Sequence, residues 1–108
     1  MAVEVKICGL STPESLDAAL DAGADFVGLV FFPKSPRNVT LEQAATLANR
    51  ARGRSKIVTL VVDADDALLS AIAGEVRPDL IQAHGAETPA RIAEITRLTG
   101  KPVIKAIR

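Results

Sequence analysis

At 108 residues and 11.3 kDa the chain is long enough to bury roughly 65% of its extended surface, which allows one core and one domain. Thirteen Lys and Arg against thirteen Asp and Glu cancel to zero formal charge, and Trp and Tyr are absent, so nucleic acid and an anionic membrane find neither a basic footprint nor a stacking platform. A 48% hydrophobic fraction argues for a packed core and against disorder.

The N-terminal stretch Met1 to Leu10 lacks the charged-then-apolar layout of a secretory signal, and its apolar part, Val3 to Ile7, reads as a strand. Cys8 is the single cysteine, which excludes an intrachain disulfide and makes a reducing cytoplasm the default address. By itself it reads first as a buried core residue, since free cysteine is among the most buried residue types, with a free surface thiol and a nucleophile or base as the alternatives. Ser11-Thr12-Pro13-Glu14 then supplies a capping hydroxyl, an early proline and a first-turn acid, with Leu16, Ala19 and Leu20 at helical spacing and Gly23 as a stop.

Phe26 to Phe32 is the longest apolar run and is far too short to span a bilayer, so it reads as a second strand. Thr40 opens a helix over Leu41 to Arg52 that Gly53 closes. Ile57 to Val62 is a third strand, followed by a helix over Ala67 to Ala73 that Asp63 or Asp65 opens and Gly74 closes. Leu80 to His84, the Thr88-Pro89 helix start, Ala90 to Leu98, Gly100 and Val103 to Ile107 complete the series. The strand runs are rich in β-branched residues with little alternation, which predicts a parallel sheet covered on both faces.

Strand starts at 3, 26, 57, 80 and 103 give spacings of 23, 31, 23 and 23, the regular beat of four βα units and a fifth strand. Two α/β architectures fit, an open doubly wound sheet and part of a (β/α)8 barrel, and the regularity favours the barrel. A complete barrel takes about 250 residues, so the 108 residues predict a partial one whose first and fifth strands are apolar edges, prone to self-association or pairing with a missing half.

In either architecture ligands bind where strand C-termini meet the following loops. That rule gathers Cys8-Gly9, the loop 33–38, Asp63, His84-Gly85 and Arg108 on one rim. Each has a structural alternative: Asp63 as a helix cap, His84 as a strand end, Arg37 as a solvated cation. Two prolines around Lys34 and Ser35 stiffen the basic loop, which suits an anion, and Arg37 can grip a carboxylate or phosphate with two parallel hydrogen bonds. A well-ordered connection across a wide gap explains the same composition. A flavodoxin-like receiver or nucleotide binder lacks the acidic cluster or glycine-rich phosphate loop it needs.

The strings Lys6-Ile7-Cys8-Gly9-Leu10, Gly28-Leu29-Val30-Phe31-Phe32-Pro33-Lys34-Ser35-Pro36-Arg37, Asp79-Leu80-Ile81-Gln82-Ala83-His84-Gly85 and Val103-Ile104-Lys105-Ala106-Ile107 occur in this order. In them the chain resembles the phosphoribosylanthranilate isomerase family of tryptophan biosynthesis, along its whole length. The resemblance implies a (β/α)8 TIM barrel of which residues 1–108 are the N-terminal (βα)4β part. It also implies an Amadori rearrangement of a phosphorylated small molecule, with no metal or organic cofactor.

On that resemblance Cys8 is the general base, and Lys6, two residues away on the same strand face, favours its thiolate. Arg37 faces the anthranilate moiety, while Gln82 and His84 line the pocket as substrate-binding residues. The family more often has leucine where this chain has Ala83, a position expected to face the helices. The family's general acid follows the sixth strand and its phosphate loops follow the seventh and eighth, none of them within these 108 residues. The segment alone is therefore expected to be inactive.

Overall fold

The computed structural model describes residues 4–105. Five strands form one parallel sheet in the order β1 to β5, with β1 at Lys6–Cys8, β2 at Phe26–Phe31, β3 at Lys56–Val61, β4 at Leu80–Ala83 and β5 at Val103–Lys105. Spatial order equal to chain order decides between the two architectures, because a doubly wound sheet reverses direction at a switch point and this one never does. The fold is α/β, a partial barrel of four βα units plus a fifth parallel strand. Val3, Ala106, Ile107 and Arg108, which the sequence assigns to the outer strand ends and the last rim position, lie outside the described residues.

The helices begin where hydroxyls and carboxylates can take up orphan amides. Helix α1, Pro13–Asp21, starts with a reciprocal box in which Thr12 accepts from the Ser15 amide and the Ser15 hydroxyl takes the Thr12 amide. Helix α2, Leu41–Ala51, repeats it with Thr40 and Gln43. Helix α3, Asp66–Ala71, is capped by Asp65, and α4, Pro89–Thr99, by Thr88 with Pro89 in the first turn.

Two expectations are corrected here. Gly74 does not stop the third helix, because α3 runs on into a π-helical turn over Ile72–Val76. The carbonyls of Val76 and Arg77 that this turn leaves open accept from the Arg52 guanidinium at 2.9 and 3.1 Å. Asp63 caps no helix either. It takes a positive φ of 48° and turns its carboxylate toward the β4 loop, leaving the cap to Asp65.

The sheet is also not covered on both faces. Alternate residues Val27, Leu29, Phe31, Ile57, Val61 and Ile81 are buried beneath Leu16, Leu20, Leu47, Leu69, Ile72 and Ile95 of the helical layer. Ala83, expected to face the helices, is fully buried on this side of the sheet. The other face is concave and only partly buried; Leu60, Leu80 and Gln82 keep some exposure and Ile104 is 48% exposed. In a closed barrel the side chains of facing strands fill this space. The continuous apolar runs are thus those of a barrel strand, one face for the helices and one for the barrel interior.

A hydrogen bond from Lys6 Nζ to Gln82 Oε1 shows how strongly the sheet curls. Strands lie about 4.8 Å apart, so β1 and β4 are separated by about 14 Å along the sheet, and the two side chains meet because they cross the concavity as a chord.

Candidate active site

The rim at the C-terminal ends of the strands holds a cleft of about 610 Å³ lined by Cys8, Gly9, Val30, Phe32, Ser35, Arg37, Leu60, Val62 and His84. Its walls are mostly apolar, and its polar side chains come from the first, second and fourth βα connections. β1 ends on Cys8, exposed on the concave face. The loop after β2 is folded by its own polar groups, Ser35 donating its amide to the Phe32 carbonyl at 2.8 Å and taking the Arg37 amide on its hydroxyl at 3.1 Å. β4 ends one residue before His84, whose amide donates to the Val61 carbonyl at 2.8 Å.

Two glycines let these groups approach. At Gly9 φ is +81°, a conformation that side chains rarely adopt, and a Cβ there meets Arg37 Cδ at 2.2 Å, so the Arg37 stem lies across the bare glycine. Gly28 pairs with Cys8 across β1 and β2, and a Cβ there stands 2.8 Å from Cys8 Sγ. Removing the side chain from β2 at this level makes the room the thiol occupies.

The structure brings Cys8, Arg37 and His84 to one cleft. Lys6 and Gln82 sit two residues before Cys8 and His84 on the same strands, one layer deeper, where they bond to each other and line the concave floor with Phe26, Val58, Leu80 and Ile104. Asp63 belongs to the outer side of the rim, where its Oδ1 accepts from the Ala86 amide at 2.8 Å.

One residue of this rim escaped the sequence reading. Glu87 buries its carboxylate, with a side chain only 2% exposed, and accepts from the amides of Asp63 and Gly85 at 2.9 and 2.8 Å and from Lys105 Nζ at 2.9 Å. Burial pushes its pKa up, but the Lys105 ammonium and the backbone amides outweigh this and hold it below its ordinary 4.5. No local pattern announces such a residue, since beyond the Gly85 amide its partners Asp63 and Lys105 lie 24 and 18 positions away. A lone acid just before Thr88-Pro89 reads as one more helix-start charge.

No helix among the described residues is long and apolar enough to cross a membrane. The family profile described as N-(5'phosphoribosyl)anthranilate (PRA) isomerase matches residues 5–108. Proteins called N-(5'-phosphoribosyl)anthranilate isomerase from Rhodopseudomonas palustris (strain BisA53) and Azorhizobium caulinodans are 62% and 58% identical over 107 residues. These matches cover 99% of this chain but 49% and 47% of the relatives. The phosphoribosyl anthranilate isomerase of Thermotoga maritima superposes with a TM-score of 0.90 at 31% identity, covering 98% of this chain and 51% of that one. A structure of the enzyme in complex with reduced 1-(o-carboxyphenylamino)-1-deoxyribulose 5-phosphate gives the same score and identity. The chain thus spans about half the length of the curated relatives it matches.

Proposed function

The chain belongs to the N-(5'-phosphoribosyl)anthranilate isomerase family, and from that premise we propose that residues 1–108 are the N-terminal (βα)4β part of such an isomerase. They carry the base and the anthranilate side of an Amadori rearrangement in tryptophan biosynthesis. The observation that carries the reading is the convergence of Cys8, Arg37 and His84 on one cleft whose walls are otherwise mostly apolar.

In the proposed reaction the ribose ring of N-(5-phosphoribosyl)anthranilate opens when its oxygen is protonated, giving a Schiff base. A base then takes the C2 proton, and the C=N electron pair settles on nitrogen as the enolamine forms, which becomes the ketose. Cys8, exposed at the mouth of β1, is the group placed to take that proton as thiolate. Arg37 offers a planar fork for the anthranilate carboxylate and a face for its ring. His84 borders the substrate, and the Lys6–Gln82 pair supports the floor below it.

The acid and the phosphate-holding loops of the family follow the sixth to eighth strands, outside these 108 residues. Losing a positioned acid alone costs on the order of 10² to 10⁴ in rate. The chain by itself is therefore expected to turn over negligibly, and to gain turnover when mixed with the C-terminal half of a relative. A reducing cytoplasm, where a single thiol persists, is the compartment that suits it.

The test is a chromatographic assay of aminosugar consumption by the chain alone, by the mixture, and by the mixture carrying Cys8→Ala. Full-speed turnover by the chain alone, or undiminished turnover with Cys8→Ala, refutes the proposal. A second reading, a non-catalytic half-barrel that pairs with its own copy, rests on the exposed Ile104 and Val5 beside the edge strands. An inactive mixture together with a discrete dimer in size-exclusion chromatography selects it.

A further inference from the structure

We propose that Glu87 is a positioning residue of the site, and that its buried carboxylate sets the place of His84 in the cleft by clasping the loops after β3 and β4 to the end of β5. In calling the clasped cleft a substrate site the proposal rests on the isomerase reading; the clasp itself does not.

The clasp is reciprocal. Glu87, in the β4 loop, receives the Asp63 amide of the β3 loop, while Asp63 receives the Ala86 amide in return, at 2.9 and 2.8 Å. Each loop thus supplies one carboxylate and one amide to the other. Glu87 also folds back on its own loop, taking the Gly85 amide on Oε1, and the same oxygen accepts from Lys105 Nζ, which donates as well to the Gly85 carbonyl. Gly85 is therefore held at both its amide and its carbonyl, and His84 is the residue immediately before it.

Hydrogen bonds of amides and an ammonium to a buried carboxylate are charge-assisted and worth roughly twice neutral ones. Two short loops on adjacent strands do not need this much to close, since the β3–β4 ladder already joins them. What the ladder leaves free is the direction of the chain beyond its last pair, Val61 with Ala83. The His84 amide makes the last bond of that ladder, to the Val61 carbonyl, so the clasp acts on the chain from Gly85 onward, just past the strand's own pairing. A site group must be held within about half an ångström to be useful, and side chains that support it from behind are the usual means.

The chain has one histidine, so a single imidazole signal reports the position directly. Histidine-labelled 108-residue chain is compared by heteronuclear NMR with E87Q, which keeps the shape but not the charge, and with D63A, which removes the return arm alone. L16A, a cavity variant in the helical layer away from the rim, controls for lost stability. The expected result is a displaced and broadened His84 imidazole signal in E87Q, a smaller displacement in D63A and an unmoved signal in L16A.

Superimposed wild-type and E87Q imidazole signals overturn the proposal, as does an equal displacement in L16A. Should E87Q fail to fold by circular dichroism, D63A still decides, because an unmoved signal there removes the clasp. These spectra contain no substrate. A displaced signal in a chain whose complemented mixture is inactive therefore supports the clasp while it sinks the isomerase reading. In an active mixture E87Q is expected to lower kcat/KM about tenfold, mostly through KM.

Discussion

Gly28→Ala is the sharpest test of how the sheet makes room for the thiol. A methyl at position 28 stands 2.8 Å from Cys8 Sγ, but also 3.1 and 3.2 Å from Cys8 Cα and Cβ. The sulfur can rotate away. The backbone cannot, because the Gly28 carbonyl accepts the Gly9 and Leu10 amides at 3.1 and 3.2 Å and fixes the spacing of the two strands.

Overpacking of this kind costs about 1–3 kcal/mol, of which alanine's better strand behaviour returns about 0.5–1, leaving a net loss of about 0.5–2 kcal/mol. For a domain of about 100 residues that is a fall in Tm of roughly 2–16 °C. Calorimetry gives the Tm, and iodoacetamide labelling followed by intact mass gives the thiol's accessibility, since one cysteine means one adduct. The labelling rate is expected to change at least threefold as the sulfur is pushed to another rotamer. An unchanged or raised Tm together with an unaltered labelling rate refutes the close-approach argument.

The buried Thr59 hydroxyl has no hydrogen-bond partner among the described residues, so Thr59→Val is expected to stabilise by about 1 kcal/mol, read as a raised urea midpoint. Because Glu87 is held below 4.5, its contribution to stability is complete above that pH and is lost as pH falls through the lowered folded value. Urea midpoints measured from about pH 6 down to about pH 2 should fall less steeply below about pH 4.5 in Glu87→Gln than in the wild type. In a complemented mixture Arg37→Lys keeps the charge and loses the fork, so steady-state kinetics should show KM raised about tenfold with kcat little changed. An equal loss in kcat alone contradicts the carboxylate role.

The parts of this fold that local chemistry controls were readable residue by residue. Thr12, Thr40 and Thr88 each precede a helix by one position because a hydroxyl there can take an amide three residues on, and Gly100 closes α4 with a φ of +69° that favours glycine. Strand cores were legible from their β-branched runs, and so was the rim on which Cys8, Arg37 and His84 gather.

What could not be read depends on neighbours distant in sequence. Asp63 and Asp65 are equivalent as caps until the β4 loop is present to claim Asp63. Gly74 looks like a terminator until Arg52, 24 positions earlier than Val76, donates its guanidinium to the carbonyls that end the turn. Lys6 sits beside Cys8 in sequence, yet its ammonium reaches Gln82, because the curl of the sheet brings β4 across to it.

Among the described residues the ladders are uneven: β2 and β3 share six residue pairs, whereas β1 meets β2, and β4 meets β5, through three. Amide protons in the middle two strands are consequently expected to be the slowest to trade with deuterated solvent, with protection thinning toward both margins. The residue that ends β1 is Cys8, so its sulfur is expected to stand on a thinly protected flank, next to one of the two most durable strands.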